Sequence, residues 1–295
     1  MAHGQRQIAP LPDQLRQAVA GTAPLLLPGV YDALSARLAA AAGFDAIYVT
    51  GAGLANSRLG VPDIGLTSVD QLADHVAAIS DAVEVPLVVD GDTGFGNAVN
   101  VAHTVRKLER AGASAIQLED QVFPKKCGHF AGKAIIPLDE MAGKLQSALD
   151  ARRSDDTLII ARTDARATDG IDAAVERAHR FREIGADIIF VEAPKTIDEL
   201  RLFAEQIDAP LVANMVEGGS TPIVPLEDLG ELGYAVVLYA NAALRSAQRA
   251  VTLAYAELKS AGISTNLLDT MATWEERQNA VGKPHYDELE ARYAS

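Results

Sequence analysis

Short apolar runs alternate with longer amphipathic stretches along most of this 295-residue chain. Each run is followed by polar or Gly residues and then by a helix-like spacing of apolar positions. Strands that are apolar along their whole length are typical of parallel βαβ units, because helices cover both faces of such a sheet. The predicted strands are Leu25–Val30, Ala46–Thr50, Pro86–Asp90, Ala115–Glu119, Leu158–Arg162, Ile188–Glu192, Leu211–Asn214 and Ala235–Tyr239.

Eight such strands favour an α/β fold of the closed (β/α)8 type, a TIM barrel, over an open doubly wound sheet. No Gly-x-Gly-x-x-Gly sequence follows the first strand, which also counts against a dinucleotide-binding fold. We predict a single TIM-barrel domain over residues 1–295, with the barrel itself at about 22–260. The predicted helices are Asp13–Ala20, Ala33–Ala42, Val69–Val83, Val99–Ala111, Leu138–Arg152, Ile171–Ile184 and Ile197–Ile207.

Residues 261–295 follow the point at which the barrel would be complete. We predict two further helices there, at Met271–Ala280 and Tyr286–Tyr293, and Trp274 is the only tryptophan of the chain. An apolar-faced helix outside a closed barrel needs a surface to bury against. We therefore expect these helices to pack on a neighbouring subunit.

Composition and charge exclude several classes of partner. With 48% hydrophobic residues the chain can bury a large core. The formal net charge of −14 argues against binding to nucleic acid or to an anionic membrane surface, since both would repel the protein. A single cysteine cannot form an internal disulfide, and no apolar run approaches the ~20 residues that span a bilayer. We expect a soluble, cytoplasmic protein.

The only cysteine, Cys127, lies among Lys125, Lys126 and His129 in a stretch too rich in Gly, Pro and Lys for an ordinary helix or central strand. Neighbouring cationic groups lower the pKa of a thiol towards neutrality, where it can both give and take a proton. The stretch is therefore a candidate proton-transfer loop. The alternative is a basic surface loop that happens to hold a cysteine.

A barrel places functional side chains at the carboxyl ends of its strands. Asp90 and Asp92 follow the third predicted strand, where an extended chain would point both to one side, and Glu119 ends the fourth. Hard oxygen ligands without His or Cys suit Mg²⁺ or Mn²⁺ rather than zinc. Asp63 could orient a metal-bound water. Alternatively, Asp90 and Asp92 only cap a Gly-rich turn, and Asp63 only forms one.

Two further stretches could bind an anionic substrate. Arg162 ends an apolar run, where a buried cation needs an anionic partner, either a substrate carboxylate or the internal Glu192. The stretch 217–222, which contains Thr221, offers Gly-rich backbone N–H groups and hydroxyls that suit a carboxylate. A plain turn between a strand and a helix is the alternative for this stretch.

Several motifs in one order resemble the isocitrate lyase and phosphoenolpyruvate mutase superfamily, and within it the bacterial 2-methylisocitrate lyases. The resemblance runs from about Leu25 to Tyr293. It departs from those lyases at Thr50–Gly53, at Phe130 where an arginine is expected and at Ala240 where a proline is expected. The matching motifs are Gly60–Gly65, Val89–Gly96, Glu119–Gln121, Lys125–His129 and Ala161–Ala165.

The resemblance implies an Mg²⁺-dependent (or Mn²⁺-dependent) lyase on a TIM barrel, with a mobile catalytic loop and a C-terminal helix exchanged between subunits of a homotetramer. It implies that Asp90, Asp92 and Glu119 serve the metal, with Asp63 acting through water. Cys127 would be the general acid, assisted by Lys125, His129 and Tyr48. The implied substrate contacts are Thr50, Gly51, Ala52, Gly128, Arg162, Glu192, Asn214 and Thr221.

The expected reaction is retro-aldol cleavage of a 2-hydroxy di- or tricarboxylate, resembling 2-methylisocitrate, to a 2-oxo acid such as pyruvate and a carboxylate such as succinate. Tyr48 would accept the hydroxyl proton. Lys125, His129 and Arg162 would offset the charge of the intermediate, and Cys127 would protonate it. Cleavage of 2,3-dimethylmalate, hydrolysis or decarboxylation of oxaloacetate, and a non-catalytic metal- and anion-binding barrel remain alternatives.

Overall fold

The computed structural model describes residues 9–126 and 132–294, and at its centre eight parallel strands form a closed barrel. The strands pair in chain order and β8 closes the barrel by pairing with β1. All eight predicted strands are confirmed, with ends that differ by one residue at most. They are β1 Leu25–Val30, β2 Ile47–Val49, β3 Leu87–Asp90, β4 Ala115–Glu119, β5 Leu158–Thr163, β6 Ile188–Val191, β7 Leu211–Asn214 and β8 Val236–Tyr239.

The helices that surround the barrel begin at residues suited to the first turn. Asp32, Ser68 and Asn97 accept hydrogen bonds from backbone N–H groups of the first turns that follow them. The predicted helices are confirmed, with ends shifted by up to three residues. The helices are α1 Leu11–Val19, α2 Ala33–Ala41, α3 Gly51–Leu54, α4 Val69–Ser80, α5 Ala98–Arg110, α6 Leu138–Ala151, α7 Ala165–Thr168, α8 Ile171–Ile184, α9 Ile197–Gln206, α10 Leu226–Glu231, α11 Ala242–Ala261, α12 Trp274–Ala280 and α13 Lys283–Tyr293.

The core has two layers, one inside the barrel and one between the strands and the helices. Inside, Leu27 and Val88 pack with Leu15 and Val19 of α1, which covers the amino-terminal end of the barrel. Outside, large side chains such as Phe181 are buried between helices and strands. The strands are thus buried on both faces, which is why they are apolar along their length. Since α1 closes one end, a substrate must enter at the carboxyl ends of the strands.

The C-terminal helices α11, α12 and α13 contain no buried residue. Large side chains are exposed on them, among them Tyr255 at 69%, Trp274 at 72% and Tyr293 at 74%. The two predicted tail helices are confirmed, with α12 beginning three residues later than expected and α13 three residues earlier. None of the helices in the described part of the chain has the length and apolarity needed to cross a membrane.

The sequence analysis missed α11, which has 20 residues and is the longest helix of the described chain. Its signal was present, because Leu244, Ala247, Val251, Ala254 and Leu258 recur at intervals of three and four residues. Helix α11 ends at Ala261, where the C-terminal tail begins.

Candidate active site

A pocket opens at the carboxyl ends of the strands, with side chains from β2 to β8 or the loops after them. This is the end of the barrel predicted to carry the chemistry. Its lining residues are Tyr48, Thr50, Ala52, Asp63, Asp90, Glu119, Lys125, Lys126, Arg162, Phe190, Glu192, Asn214, Val216, Leu238, Ala240 and Asn241.

The predicted metal carboxylates Asp90, Asp92 and Glu119 are all buried at this end of the barrel. Asp90 accepts hydrogen bonds from the backbone N–H of Gly51 at 3.3 Å, from that of Asp92 at 3.2 Å and from the side chain of Gln117 at 3.3 Å. The premise that Asp90 and Asp92 lie on one extended segment is wrong. Strand β3 ends at Asp90, and Asp92 has a φ of 49°, in the left-handed region.

The two aspartates nevertheless converge, because the chain turns after β3 and both face Gly51. A Cβ atom placed on Gly51 would lie 3.0 Å from Asp90 Oδ2 and 3.3 Å from Asp92 Oδ1. One oxygen of Glu119, Oε1, is buried with no hydrogen-bond partner among the residues that the structure describes. Three buried carboxylates, one with an unsatisfied oxygen, are donors of the chemical type that Mg²⁺ or Mn²⁺ prefers.

Two cationic side chains lie beside these carboxylates: the ammonium group of Lys125, and Arg162, whose Nε lies 3.4 Å from Glu119 Oε2. Lys125 is the one at the aspartates. Its Nζ lies 2.5 Å from Asp63 Oδ1 and 2.7 Å from Asp92 Oδ1. Burial would lower the pKa of Lys125, but four carboxylates (Asp92, Glu119, Asp90 and Asp63) outweigh this effect and raise it. Within residues 9–126 and 132–294 no three His, Cys, Asp or Glu side chains are grouped closely enough to hold a metal ion. A metal at this place would therefore require the carboxylates to move closer together and Lys125 to withdraw from between them.

The carboxyl group of Asp92 has a pKa well above its ordinary value. Burial raises the pKa of its carboxyl group to about 7, an effect that Lys125 opposes and that the nearby Asp90 and Asp63 reinforce. A carboxyl group with this pKa is stabilised in its charged form mainly by the cation next to it. The site is thus built around a cation, whether an ammonium group or a metal.

Gly51 leads to the first prediction, since its missing side chain leaves room for the two aspartates. We expect Gly51→Ala to push at least one carboxylate aside and to weaken Mg²⁺ or Mn²⁺ binding by about tenfold, the scale seen when the surroundings of metal ligands change. Gly143→Ala is the matched control, because a Cβ atom there has nothing within 4 Å. Titration calorimetry measures both affinities, and equal affinities in the two variants would contradict this role for Gly51.

Tyr48 lies at the bottom of the pocket, where its hydroxyl donates a hydrogen bond of 2.9 Å to Gln117 Oε1. Burial raises the pKa of Tyr48 well above its ordinary value, and the nearby Asp90 adds to this effect. This shift favours the neutral phenol. The hypothesis that Tyr48 accepts the substrate's hydroxyl proton stays a prediction, because a cation held by Asp90 would lower the same pKa.

Arg162 projects into the pocket from β5 and is almost fully buried. Its strongest partner is Asp164, with Nε to Oδ2 at 3.0 Å and Nη2 to Oδ1 at 3.2 Å, whereas Nη1 lies 3.7 Å from Glu192. The guanidinium carbon lies 5.2 Å from the centre of the Phe190 ring. Sequence reasoning considered a substrate or Glu192 as the partner of Arg162 and missed Asp164.

Most of the other predicted substrate contacts lie where expected. Thr50, Ala52, Glu192 and Asn214 line the pocket, and the Asn214 amide donates to Glu192 at 3.4 Å. Gly51 contributes its backbone N–H to Asp90. Thr221 is buried but is not among the residues that line this pocket, which favours the plain-turn interpretation of that stretch. The predicted Cys127, Gly128 and His129 lie outside the described residues.

The loop that carries Lys125 and Lys126 leaves the barrel from a fixed stem. The Val122 N–H donates to the Ala134 carbonyl at 2.8 Å, and the Ile136 N–H donates to the Asp120 carbonyl at 2.8 Å. The amide side chain of Gln121 holds the backbone N–H and C=O of Lys126, both at 2.9 Å. The two ends of the loop are therefore held together beside the pocket.

Three pocket or supporting residues were missed although the sequence carries a signal for each. Gln117 is a polar residue inside the apolar strand β4, and Asp164 follows Arg162 by two positions. Asn241 comes directly after β8, as the other polar residues follow their strands.

Comparison with known proteins agrees with this geometry. The family model for phosphoenolpyruvate phosphomutase matches residues 15–259. The chain is 43% identical to the 2,3-dimethylmalate lyase of Eubacterium barkeri over 96% of this chain and 98% of that protein. It is 44% identical to the 2-methylisocitrate lyase of Aeropyrum pernix over 94% of this chain and 89% of that protein.

Solved structures give the same picture. Oxaloacetate acetylhydrolase bound to 3,3-difluorooxalacetate has a TM-score of 0.92 at 30% identity, covering 98% of this chain and 99% of that one. 2,3-dimethylmalate lyase has a TM-score of 0.91 at 34% identity, covering 97% and 96%. Phosphonopyruvate hydrolase, in a complex with oxalate and Mg²⁺, has a TM-score of 0.88 at 32% identity, covering 97% and 100%.

Proposed function

The chain belongs to the phosphoenolpyruvate phosphomutase family, and from this membership and its pocket we propose that it is a metal-dependent carbon–carbon lyase acting on a 2-hydroxy di- or tricarboxylate. With 2-methylisocitrate the products would be pyruvate and succinate. With 2,3-dimethylmalate they would be pyruvate and propionate. The observation that carries the proposal is the placement of buried carboxylates, Lys125 and Arg162 around one pocket, in a chain whose relatives at 43% and 44% identity are lyases.

The charge of the pocket supports the need for a divalent cation. Among the described residues, five carboxyl groups meet three cationic groups at this pocket, and burial raises the pKa of two of these carboxyls, Asp92 and Glu119, so that a cation beside them would favour their charged forms. The groups are Asp63, Asp90, Asp92, Glu119 and Glu192 against Lys125, Lys126 and Arg162. An anionic substrate would be repelled from such a pocket unless a cation were bound. We propose that Asp90, Asp92 and Glu119 hold Mg²⁺ or Mn²⁺, directly or through water, and that Asp63 orients a metal-bound water.

When bound, the metal would polarise the 2-hydroxyl and its neighbouring carboxylate and stabilise the 2-oxo product. The chain supplies the rest of the chemistry. Lys125, His129 and Arg162 would offset the negative charge that develops as the carbon–carbon bond breaks, and Cys127 would protonate the resulting carbanion. Tyr48 stays the predicted acceptor of the 2-hydroxyl proton, a role for which the charge of a cation held by Asp90 would have to lower its raised pKa.

One wall of the pocket supports a substrate that carries methyl groups. Four apolar residues of the pocket lining, Phe190, Val216, Leu238 and Ala240, come from the ends of β6, β7 and β8. The predicted metal carboxylates Asp90 and Glu119 come from β3 and β4, whereas Glu192 follows β6 on the apolar side. A molecule with a polar head and an apolar end matches this division. We therefore favour 2-methylisocitrate or 2,3-dimethylmalate over oxaloacetate, which has no methyl group to place against that wall.

A second candidate is chemistry at a carbon–phosphorus bond. The observations that favour it are the family model for phosphoenolpyruvate phosphomutase and the likeness to phosphonopyruvate hydrolase. Phosphonopyruvate belongs in any panel of substrates for this reason. A metal- and anion-binding barrel without turnover would show no product with any of them.

The metal should be required for turnover and not for folding, since apolar strands supply the core and the carboxylates lie at its rim. We expect exhaustive chelation to abolish release of a 2-oxo acid and to leave the far-UV circular dichroism unchanged. Restoring Mg²⁺ or Mn²⁺ should restore turnover. Unfolding on chelation would show instead that the metal is structural, and undiminished turnover would contradict the proposed function.

We propose that the exposed C-terminal helices pack on a neighbouring subunit, with α12 and α13 exchanged in a homotetramer. The exposure of Trp274 at 72%, Tyr286 at 60% and Tyr293 at 74% supports this, because apolar side chains of this size are expensive to leave in water. Deletion from Ile263 onward should lower the number of subunits per particle, measured by light scattering, while the barrel keeps its circular dichroism. A truncated protein with the same number of subunits would refute the exchange.

The single-domain division and the cytoplasmic location stay predictions.

A further inference from the structure

We propose that Asp164 is a positioning residue that holds Arg162 in the pocket and, through Lys133, joins it to the far end of the loop after β4. The inference rests on the proposed function for the reaction that is assayed, but its ligand-binding test does not need turnover. The structural basis is a run of ion pairs that leads from the pocket to the loop stem.

The contact between Asp164 and Arg162 fixes one edge of the guanidinium. Two parallel hydrogen bonds, at 3.0 Å and 3.2 Å, join Nε and Nη2 to the two carboxylate oxygens. A bidentate pair of this kind sets the orientation of the arginine as well as its distance. Arg162 lines the pocket, whereas Asp164 is fully buried and is not among the lining residues. Asp164 would therefore act on a substrate only through Arg162.

Asp164 is itself held by the base of the loop stem. Its backbone N–H donates to Asp120 Oδ1 at 2.9 Å, and the neighbouring Thr163 hydroxyl donates to Asp120 Oδ2 at 2.7 Å. Arg177 donates to the same Oδ2 at 3.0 Å and to the Ile136 carbonyl at 2.9 Å. The residue that orients Arg162 is thus attached to the point at which the loop begins.

Lys133 connects the other end of the loop to Asp164. Its ammonium group forms an ion pair with Asp164 Oδ1, the oxygen that also accepts from Arg162 Nη2, and the Lys133 side chain is only 4% exposed. Burial would raise the pKa of Asp164, but the charges of Arg162 and Lys133 outweigh it and lower the pKa. One ionised carboxylate is shared between the pocket arginine and the loop, so a change at Lys133 should reach Arg162.

Arg166 and Glu199 provide a matched control nearby. They form a second bidentate pair, with Nε to Oε2 at 2.7 Å, and neither residue lines the pocket. Glu199→Gln removes a carboxylate from an arginine much as Asp164→Asn does. The Arg166 and Glu199 side chains are 12% and 14% exposed, so this pair is partly buried. If only the general loss of an ion pair to an arginine mattered, the two variants would behave alike.

The test measures binding of oxalate with Mg²⁺ by calorimetry, and KM and kcat for the cleaved 2-hydroxy acid. We expect Asp164→Asn to weaken oxalate binding by about tenfold and to lower kcat/KM by about 10²-fold, mostly through KM, as for a misplaced binding group. Lys133→Met should act in the same direction and Lys133→Arg should restore binding, whereas Glu199→Gln should leave both readouts unchanged.

Wild-type oxalate affinity in both Asp164→Asn and Lys133→Met would overturn the proposal. So would an equal loss in Glu199→Gln, since the effect would then be one of general stability. If Asp164→Asn does not fold, the Lys133→Met and Lys133→Arg pair decides alone. A wild-type protein that cleaves no 2-hydroxy acid but loses oxalate binding in these variants would sink the proposed function and leave the role of Asp164 intact.

Discussion

Cys127→Ala should lower turnover by about 10²-fold or more, the usual scale for loss of a positioned proton donor. The variant should still bind Mg²⁺ and a 2-oxo acid, because neither contact in the proposed site uses sulfur. Cys127→Ser should be nearly as poor, since a hydroxyl group is a far weaker acid than a thiol near neutral pH. Kinetic assays and calorimetry on the two variants check these outcomes separately.

Alkylation gives an independent measurement at the same residue. Cys127 is the only cysteine of the chain, so iodoacetamide can label no other thiol. Substrate with Mg²⁺ should slow inactivation of the wild type if the loop closes over the bound molecule. Near-wild-type turnover in Cys127→Ala would contradict the lyase mechanism and would favour a reaction that needs no acid at this position.

The second large effect concerns stability, and Arg177→Met is expected to lower the free energy of unfolding by about 3–5 kcal/mol. Arg177 is the cation paired with Asp120 at 3.0 Å, and Asp120 is fully buried. Burial already raises the pKa of Asp120. Without Arg177 this carboxylate would lose its cation, and the Ile136 carbonyl at the loop stem would lose its donor.

Arg180→Met is the matched control in the same helix, α8. Arg180 pairs with Glu183 at 3.2 Å, but the two side chains are 48% and 65% exposed, so its loss should change the free energy of unfolding by less than about 0.5 kcal/mol. Urea unfolding followed by circular dichroism compares the two variants. Equal stability would show that the pair beneath the loop contributes no more than a surface pair.

The barrel could be predicted from the sequence because its strands are buried on both faces. This burial makes each strand a short apolar run, and the polar residue that ends it marks the open rim of the barrel. Helix α11 was missed although it has a clear helical period, and none of its residues is buried in the structure. The period of apolar residues predicts a helix, but it does not predict which surface the helix packs against.

The chemistry of the site was predicted by residue type, whereas the contacts within it were not. Asp90 and Asp92 were predicted as neighbours on an extended strand, but the left-handed turn at Asp92 brings them together around Gly51. Arg162 pairs most closely with Asp164, two positions away, where the chain leaves β5 and enters α7. The spacing of residues along a strand does not predict where the chain turns. The turn determines which charged side chains come into contact.

The pKa of Tyr48 is a property that the sequence alone does not predict. The sequence identifies a tyrosine at a strand end, but the pKa of its hydroxyl depends on burial and on charges from other strands, such as Asp90. These contributions come from residues distant in the chain, so only the folded structure shows which groups raise the pKa of Tyr48.

We propose that this protein breaks a carbon–carbon bond of a methyl-bearing 2-hydroxy acid with the help of a divalent metal. The most direct test of this proposal is the release of pyruvate, measured with lactate dehydrogenase and NADH, from 2-methylisocitrate and 2,3-dimethylmalate, with phosphonopyruvate and oxaloacetate assayed by their own products. We expect metal-dependent pyruvate release from at least one of the two methylated acids, at a rate above any turnover of the other two compounds. Turnover of phosphonopyruvate or oxaloacetate alone, or of none of the four, would contradict it.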